Sequence, residues 1–271
     1  MPAVDPALVI GALREVADTV ILPRYNKLDK EHVRSKTSAN DLVTIADEEG
    51  EQRLAVTLPK LLPGSVLIGE ESVAKNASLL GHISNEDWVW IVDPVDGTLN
   101  FVNGSDVFCT MVALTHKGET VMGFIHHPLS GKTIWSARGE GAYVSDASGA
   151  VTPVKTPALE RNDLAGLTAA LYDKELAPIK GKFGRIARSG CAGHDYWAAA
   201  EGRLHIVSFR KLQPWDHAPG LLIHAEAGGY ARMLDGEAYS PGRPTGLTGV
   251  LAAPSQDIWA NVVAVRQMLV G

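Results

Sequence analysis

The first twenty-odd residues repeat an apolar side chain every three to four positions: Leu8, Ala12, Val16 and Val20 form one stripe, with Arg14, Glu15 and Asp18 between them. That period is helical. Asp5 before Pro6 supplies an N-cap and a first helical residue, and Pro23 stops the element after Leu22. A second helix is expected from Thr44, with Asp47 as the short acid of a capping box. The rhythm then changes to short apolar runs bounded by turn residues. Val66 to Ile68 and Val89 to Val92 read as strands, and Phe108 to Leu114 joins Val121 to Ile125 as a hairpin through Lys117-Gly118-Glu119. Strands near Thr133 to Ala137 and Ala142 to Val144 follow. Beyond about residue 155, strands at Leu164 to Leu171, Arg185 to Arg188, Leu204 to Phe209 and Val250 to Ala253 alternate with helical stretches. Ser255 caps a last helix with Ile258, Val262, Val265 and Leu269 on its buried stripe. No repeat, low-complexity tract or Ser/Gly linker interrupts the chain, so two halves, 1–154 and 155–271, are expected to share a continuous interface.

Composition narrows the class. A chain of 271 residues with 45% hydrophobic and 21% charged side chains has the makings of a globular fold, either one large domain or two packed halves. The formal charge of −6 disfavours broad attraction to nucleic acid or an anionic membrane. Cys109 and Cys191 are too few for a disulfide framework or a Cys-rich zinc site, which fits a reducing cytoplasm. No apolar run approaches the roughly 18 to 20 residues of a bilayer span, and Trp88 to Val92 has only the length of a buried strand. The charges within the first helical stripe also argue against a secretion signal.

The densest chemistry is Asp93-Pro94-Val95-Asp96-Gly97-Thr98, directly after that strand. Two carboxylates three residues apart, with Pro94 stiffening the turn, can bring both acids and the Val95 carbonyl into one small volume suited to a hard divalent cation such as Mg²⁺. Gly97 and Thr98 offer backbone N–H groups where a helix begins, a natural place for a phosphate oxygen. The spacing alone is equally compatible with a tight turn whose acids are solvated. Gly69-Glu70-Glu71-Ser72 ends the preceding strand with two more acids, usually solvated in such pairs. Trp215-Asp216-His217-Ala218 places an acid at a helix start, where N-capping is the ordinary explanation. Gly131-Lys132-Thr133 is no P-loop, because the leading glycine that motif requires is His126 here. His126-His127 lacks the spacing and cysteine partners of a zinc motif, and no Gly-x-Ser-x-Gly elbow or cysteine-protease signature is present.

Taken together and in this order, Gly69-Glu70-Glu71-Ser72, Asp93-Pro94-Val95-Asp96-Gly97-Thr98 and Trp215-Asp216-His217-Ala218 resemble the inositol monophosphatase family. Lys36, with Asp41-Leu42-Val43-Thr44 and Asp47, resembles that family's N-terminal loop and helix. The resemblance covers essentially the whole chain. It implies a layered α-β-α-β-α sandwich of the α+β/α/β class. The half 1–154 would carry a large antiparallel sheet and most metal ligands, and the half 155–271 an α/β unit contributing Asp216 and the substrate pocket.

The resemblance further implies two or three Mg²⁺ ions. Glu70, Asp93 and the Val95 carbonyl would hold the first; Asp93, Asp96 and Asp216 the second; a third, weaker one would sit near Glu70, with Lys36 close by. Asp47 and Thr98 fall on the water-activating pair, and the Gly97 and Thr98 N–H groups on the phosphate contacts. Inositol-specific members generally carry a Glu seven residues before the aspartate of the Trp-Asp motif. Here that position is Phe209, followed by Arg210 and Lys211, two cations that can face a second anionic group of the substrate. Arg188-Ser189-Gly190-Cys191-Ala192-Gly193 matches the segment lining the leaving-group pocket, with Ala192 the nearest match. The expected function is hydrolysis of a small phosphorylated metabolite by a cytoplasmic, lithium-sensitive homodimer. Inositol monophosphate is the default substrate; fructose 1,6-bisphosphate, histidinol phosphate and phosphoadenosine phosphate are alternatives. A regulatory binding role of the same family, on the RNA-synthesis machinery, is the competing class.

Overall fold

The computed structural model describes residues 3–28, 33–35, 42–159, 163–242 and 248–270. Lys36 and Asp41 therefore lie outside the described residues. Asp5 caps α1 (Pro6–Val16) by accepting from the Ala7 N–H at 2.9 Å. The helix continues as one π-helical turn, Ala17–Ile21, closed by Leu22 N–H to the Ala17 carbonyl at 2.8 Å. The buried stripe of α1 is Val9, Ile10, Ala12, Leu13 and Val16, while Leu8 is 54% exposed. The expected stripe is thus offset at its start, and the π turn, one residue wider than an α turn, brings Val20 and Ile21 back under cover.

Strands β1 (Val33–Ser35) and β2 (Leu42–Thr44) pair antiparallel and lead into α2 (Ile45–Leu61). A seven-stranded sheet follows: β3 (Val66–Gly69), β4 (Trp88–Asp96), β5 (Cys109–His116), β6 (Glu119–His127), β7 (Lys132–Ala137), β8 (Gly141–Ser145) and β9 (Val151–Val154), in that spatial order. Short helices α3 (Glu70–Lys75) and α4 (His82–Asn85) bridge β3 and β4, and α5 (Thr98–Val102) lies between β4 and β5. The sheet is antiparallel except between β3 and β4, which run parallel because that bridge returns the chain in the same direction. The large antiparallel sheet expected of this half is present, with that one parallel pair at its edge.

The second sheet has five strands in the order β11, β10, β12, β14, β13: β10 (Thr168–Leu171), β11 (Arg185–Ile186), β12 (Ile206–Phe209), β13 (Tyr230–Met233) and β14 (Val250–Ala253). Leu164–Gly166, expected as the start of a strand, is a 3₁₀ turn. Between the sheets lie α6 (Ala192–Ala200) and α7 (Pro214–Glu226); α8 (Gln256–Val270) covers the outer face of the second sheet. Ile258 and Val262 of α8 are buried, but Leu269 is 49% exposed. One apolar core joins α1 and α2 to the first sheet, a second fills the space around α6 and α7, and a third lies under α8. The five layers are helix, sheet, helix, sheet, helix. Among the described residues no helix is long and apolar enough to cross a membrane.

Candidate active site

The register of the first sheet brings the motifs together. Gly69 of β3 pairs with Val92 of the parallel strand β4, so Glu70, the next residue, emerges beside Asp93. Along β4 the antiparallel register with β5 matches Asp93 to Met111 but Asp96 to Cys109, so β4 carries one extra residue across this step. In a regular strand, positions three apart face opposite ways. The bulge cancels that alternation and leaves Asp93 and Asp96 on the same face, the one toward α6 and α7. Two bonds hold it: Val95 N–H donates to Asp93 Oδ1 at 3.0 Å, and Thr110 Oγ1 donates to the Pro94 carbonyl at 2.8 Å. The turn ends at Gly97, whose φ of +87° is the left-handed region that favours glycine. A Cβ there would also stand 2.9 Å from the Val107 carbonyl oxygen.

Asp216 arrives from the other side of the site, on the first turn of α7. The helix starts with Pro214 and its N-cap is Gln213, so Asp216 is its third residue and not its cap. The N-capping explanation is therefore set aside. Carboxylate oxygens of Glu70, Asp93 and Asp216 lie within 4.8 Å of one another. Asp93 is 2% exposed, and burial, then repulsion from Glu70, Asp96, Asp216 and Asp47, pushes its carboxyl well above the usual range. Such a group of oxygens needs positive charge to stay ionised, and oxygen donors at this density fit a hard divalent cation.

Asp47 is buried on the first turn of α2 and forms the expected capping box with Thr44. Thr44 donates to Asp47 Oδ2 from its N–H at 2.8 Å and its hydroxyl at 2.6 Å. The other oxygen, Oδ1, faces Thr98 Oγ1 at 3.3 Å, and that hydroxyl is also 2.9 Å from the Val95 carbonyl. Burial raises the Asp47 carboxyl to about 7, against the pull of the two Thr44 bonds. One turn along the same face, Glu51 accepts from the Glu71 and Ser72 N–H groups at 2.7 and 2.8 Å. It thereby fixes the start of α3, where Glu70 sits. Glu51 was not singled out from the sequence; its spacing of four from Asp47 on a helix is the signal available.

The remaining expected residues line the approach from the second half. Asp96 Oδ2 accepts from the Gly193 N–H at 2.7 Å and from Cys191 Sγ at 2.9 Å, and the buried Ala192 opens α6 between them. Beside Asp216 a cavity of about 700 Å³ is lined by Tyr172, Phe209, Arg210, Lys211 and His217 among others. The Phe209 ring stacks on Tyr172 with centroids 4.8 Å apart and planes 6° apart. The Arg210 guanidinium pairs with Glu175 and lies 4.0 Å from Asp173, so it is engaged within the protein. Tyr172 donates to Asp195 at 2.7 Å and accepts the Gly190 N–H at 3.0 Å, tying the 188–193 segment to β10. His217 is buried and held neutral by that burial, its pKa lowered to about 4; it bridges the Tyr196 hydroxyl and the Lys211 carbonyl.

Comparison with known proteins decides the family. The model of the inositol monophosphatase family matches residues 6–268. The chain belongs to the inositol monophosphatase family. It is a phosphomonoester phosphatase of that type. A fructose-1,6-bisphosphatase/inositol-1-monophosphatase of Aquifex aeolicus is 28% identical over 243 residues, covering 86% of this chain and 84% of that one. The Nus factor SuhB of Pasteurella multocida is 31% identical over 241 residues, covering 84% and 85%. Among solved structures, an IMPase of Thermotoga maritima superposes with a TM-score of 0.80 at 24% identity and 97% coverage of both chains. An IMPase/NADP phosphatase complexed with Mg²⁺ and phosphate superposes with a TM-score of 0.78 at 21% identity, covering 96% and 93%. These structural likenesses show the layered fold.

Proposed function

We propose that this phosphatase is Mg²⁺-dependent and hydrolyses a small phosphate monoester of a polyol or sugar. The convergence of Glu70, the buried Asp93 and Asp216 within 4.8 Å carries that reading. Glu70, Asp93 and the Val95 carbonyl would hold one ion and Asp93, Asp96 and Asp216 a second, with a third near Glu70 and Lys36. Bound there, Mg²⁺ would supply an activated water and neutralise charge on the phosphoryl and leaving oxygens.

The chain's own groups orient the attack. The Thr98 hydroxyl has one hydrogen and two acceptors, Val95 O and Asp47 Oδ1. Directed to Asp47, that hydrogen leaves a lone pair on Oγ1 to take a proton from the attacking water. Thr44 holds the opposite oxygen of Asp47 and so keeps Oδ1 turned to Thr98. The Gly97 and Thr98 N–H groups are assigned to phosphoryl oxygens, and Ala192 and Lys211 to the leaving group, which Arg210 joins only when its pair with Glu175 opens.

Inositol monophosphate is the default substrate. Phe209 offers no acceptor to ring hydroxyls where inositol-specific relatives carry a Glu, which supports fructose 1,6-bisphosphate, histidinol phosphate or phosphoadenosine phosphate instead. The halves 1–154 and 155–271 act as one body through α6 and α7, each packed on strands of both sheets. Lithium inhibition, a cytoplasmic location and a homodimer complete the reading, the second fitting two free buried thiols. The test is a panel of these phosphate esters assayed with Mg²⁺ and after exhaustive chelation, with chain mass in solution measured alongside. Activity with added Mg²⁺ that vanishes on chelation is expected; full turnover after chelation overturns it.

A further inference from the structure

The two cysteines take no part in the reaction above, yet both thiols converge on one of its carboxylates. Cys109 opens β5 and Cys191 caps α6; both are buried, and their sulfurs are 3.6 Å apart. Asp96 Oδ2 stands 3.6 Å from Cys109 Sγ and 2.9 Å from Cys191 Sγ. These spacings match a tetrahedral site for a borderline or soft cation. Metal–sulfur bonds of about 2.3 Å place two ligand sulfurs about 3.8 Å apart, and with metal–oxygen bonds of about 2.1 Å a sulfur and an oxygen about 3.6 Å apart. Two of the three edges are already at that spacing, and the third has to open by roughly 0.7 Å. Two thiolates with one carboxylate are also a donor set that suits Zn²⁺ and not Mg²⁺, which takes oxygen ligands.

We propose that Asp96, Cys109 and Cys191 form a binding site for a thiophilic divalent cation such as Zn²⁺, and that filling it inhibits the enzyme. Two S–H bonds break, their protons pass to water, and the hydrated cation sheds water ligands as two sulfur–metal bonds and one oxygen–metal bond form. No electron is transferred. The inhibition follows because the cation binds Asp96 Oδ2, which already lies 2.9 Å from Cys191 Sγ, on the sulfur side and so keeps it from the second Mg²⁺. That half rests on the proposed role of Asp96; the binding half stands on the three side chains alone.

The experiment titrates the full-length protein, under reductant and saturating Mg²⁺, with Cd²⁺ and Co²⁺ as spectroscopic probes and Zn²⁺ as the inhibitor. A thiolate-to-metal charge-transfer band saturating near one equivalent is expected in the wild type. In Cys109→Ser and Cys191→Ser the band should disappear, and the Zn²⁺ concentration for half-inhibition should rise by roughly tenfold or more. Zinc-edge X-ray absorption of the wild type should count about two sulfurs, a readout that needs no variant to fold. An oxygen-only shell, or Zn²⁺ inhibition equally potent in both variants, overturns the site and moves the cation to Glu70, Asp93 and Asp216. A thiolate band without inhibition keeps the site and overturns the inhibition, and with it the assignment of Asp96 to the second Mg²⁺.

Discussion

At the carboxylate cluster, the acids are placed through the backbone that carries them, by strand register for Asp93, by strand register and the Glu51 hold on the α3 N–H groups for Glu70, and by a helix start for Asp216. Along the adjoining cavity, the side chains of Tyr172 and Arg210 are placed by their own hydrogen bonds and ion pairs, Tyr172 to Asp195 and the Gly190 N–H and Arg210 to Glu175, while His217, six residues on, holds the Lys211 carbonyl. Backbone-placed groups have little freedom to adopt another geometry. Side-chain-placed groups can be re-paired by one substitution, so the reaction centre should be intolerant of change and the leaving-group cavity adjustable.

The sharpest way to break that comparison is Asp93→Asn. Activity should fall by roughly 10³-fold, with the loss in kcat, because this acid is assigned to both principal ions. The same substitution should raise the melting temperature of the metal-free protein, since it removes a buried charge with no cation to oppose it. A variant with near-normal kcat would show that the cluster is not the reaction centre. Next, Thr98→Ala should lower kcat about 100-fold with KM little changed. Asp47→Asn should match it, and the double variant should be far from additive because the pair acts as a unit. Steady-state kinetics of the three variants decide this.

Glu51→Gln probes the layer behind the metal ligands. It keeps the shape but weakens the hold on the start of α3, so the Mg²⁺ concentration for half-activity should rise about tenfold while kcat at saturating Mg²⁺ changes less. Equal effects on both would mean that Glu51 supports the fold alone. Stability should also depend on pH in an unusual direction when metal is withheld. Asp47 and Asp93 have folded pKa values raised above those of the unfolded chain, so the folded state binds the protons more tightly. Their stabilising contribution is complete below the usual carboxylate range near 4 and, for Asp47, is lost as pH rises toward about 7. Thermal melts in chelator should therefore show these groups eroding stability over that interval, with Mg²⁺ restoring more at pH 8 than at pH 5. The smallest effect belongs to Arg210→Ala. Its guanidinium is committed to Glu175, so preference for a bisphosphate over a monophosphate should shift by less than about threefold. A larger shift would show that the pair opens for substrate.

These contrasts explain what was legible beforehand. The strands β4 to β6 and the capping box at Thr44 follow from short-range rules and are present in the structure; the turn expected from Asp93 is instead the bulged end of β4, which runs to Asp96 before Gly97 redirects the chain. The acids at Glu70 and Asp216 gained meaning only through their order with that turn. Glu51 stayed hidden because its role depends on α2 lying against β3 and α3, a tertiary fact with no local signature. The offset of Leu8 has a similar cause, since α1 packs on its neighbours through Val9, Ile10 and Leu13, a choice of face that tertiary packing makes. Arg210 beside Lys211 suggested a cationic patch, and only the fold reveals Glu175 across the cavity.

The extra residue in β4 also makes the spacing between Asp93 and Asp96 a matter of parity. With the bulge, an odd separation puts both acids on one face; removing one residue from Pro94-Val95 would leave a regular strand in which a separation of two does the same. Such a deletion would preserve the facing of the carboxylates while removing the Asx turn, the Thr110 anchor or the Val95 carbonyl beneath Thr98. A single insertion at the same point would reverse the facing as long as the bulge is kept. Length variation in this segment therefore separates two things that substitutions cannot: the direction in which the acids point, and the backbone oxygen delivered between them.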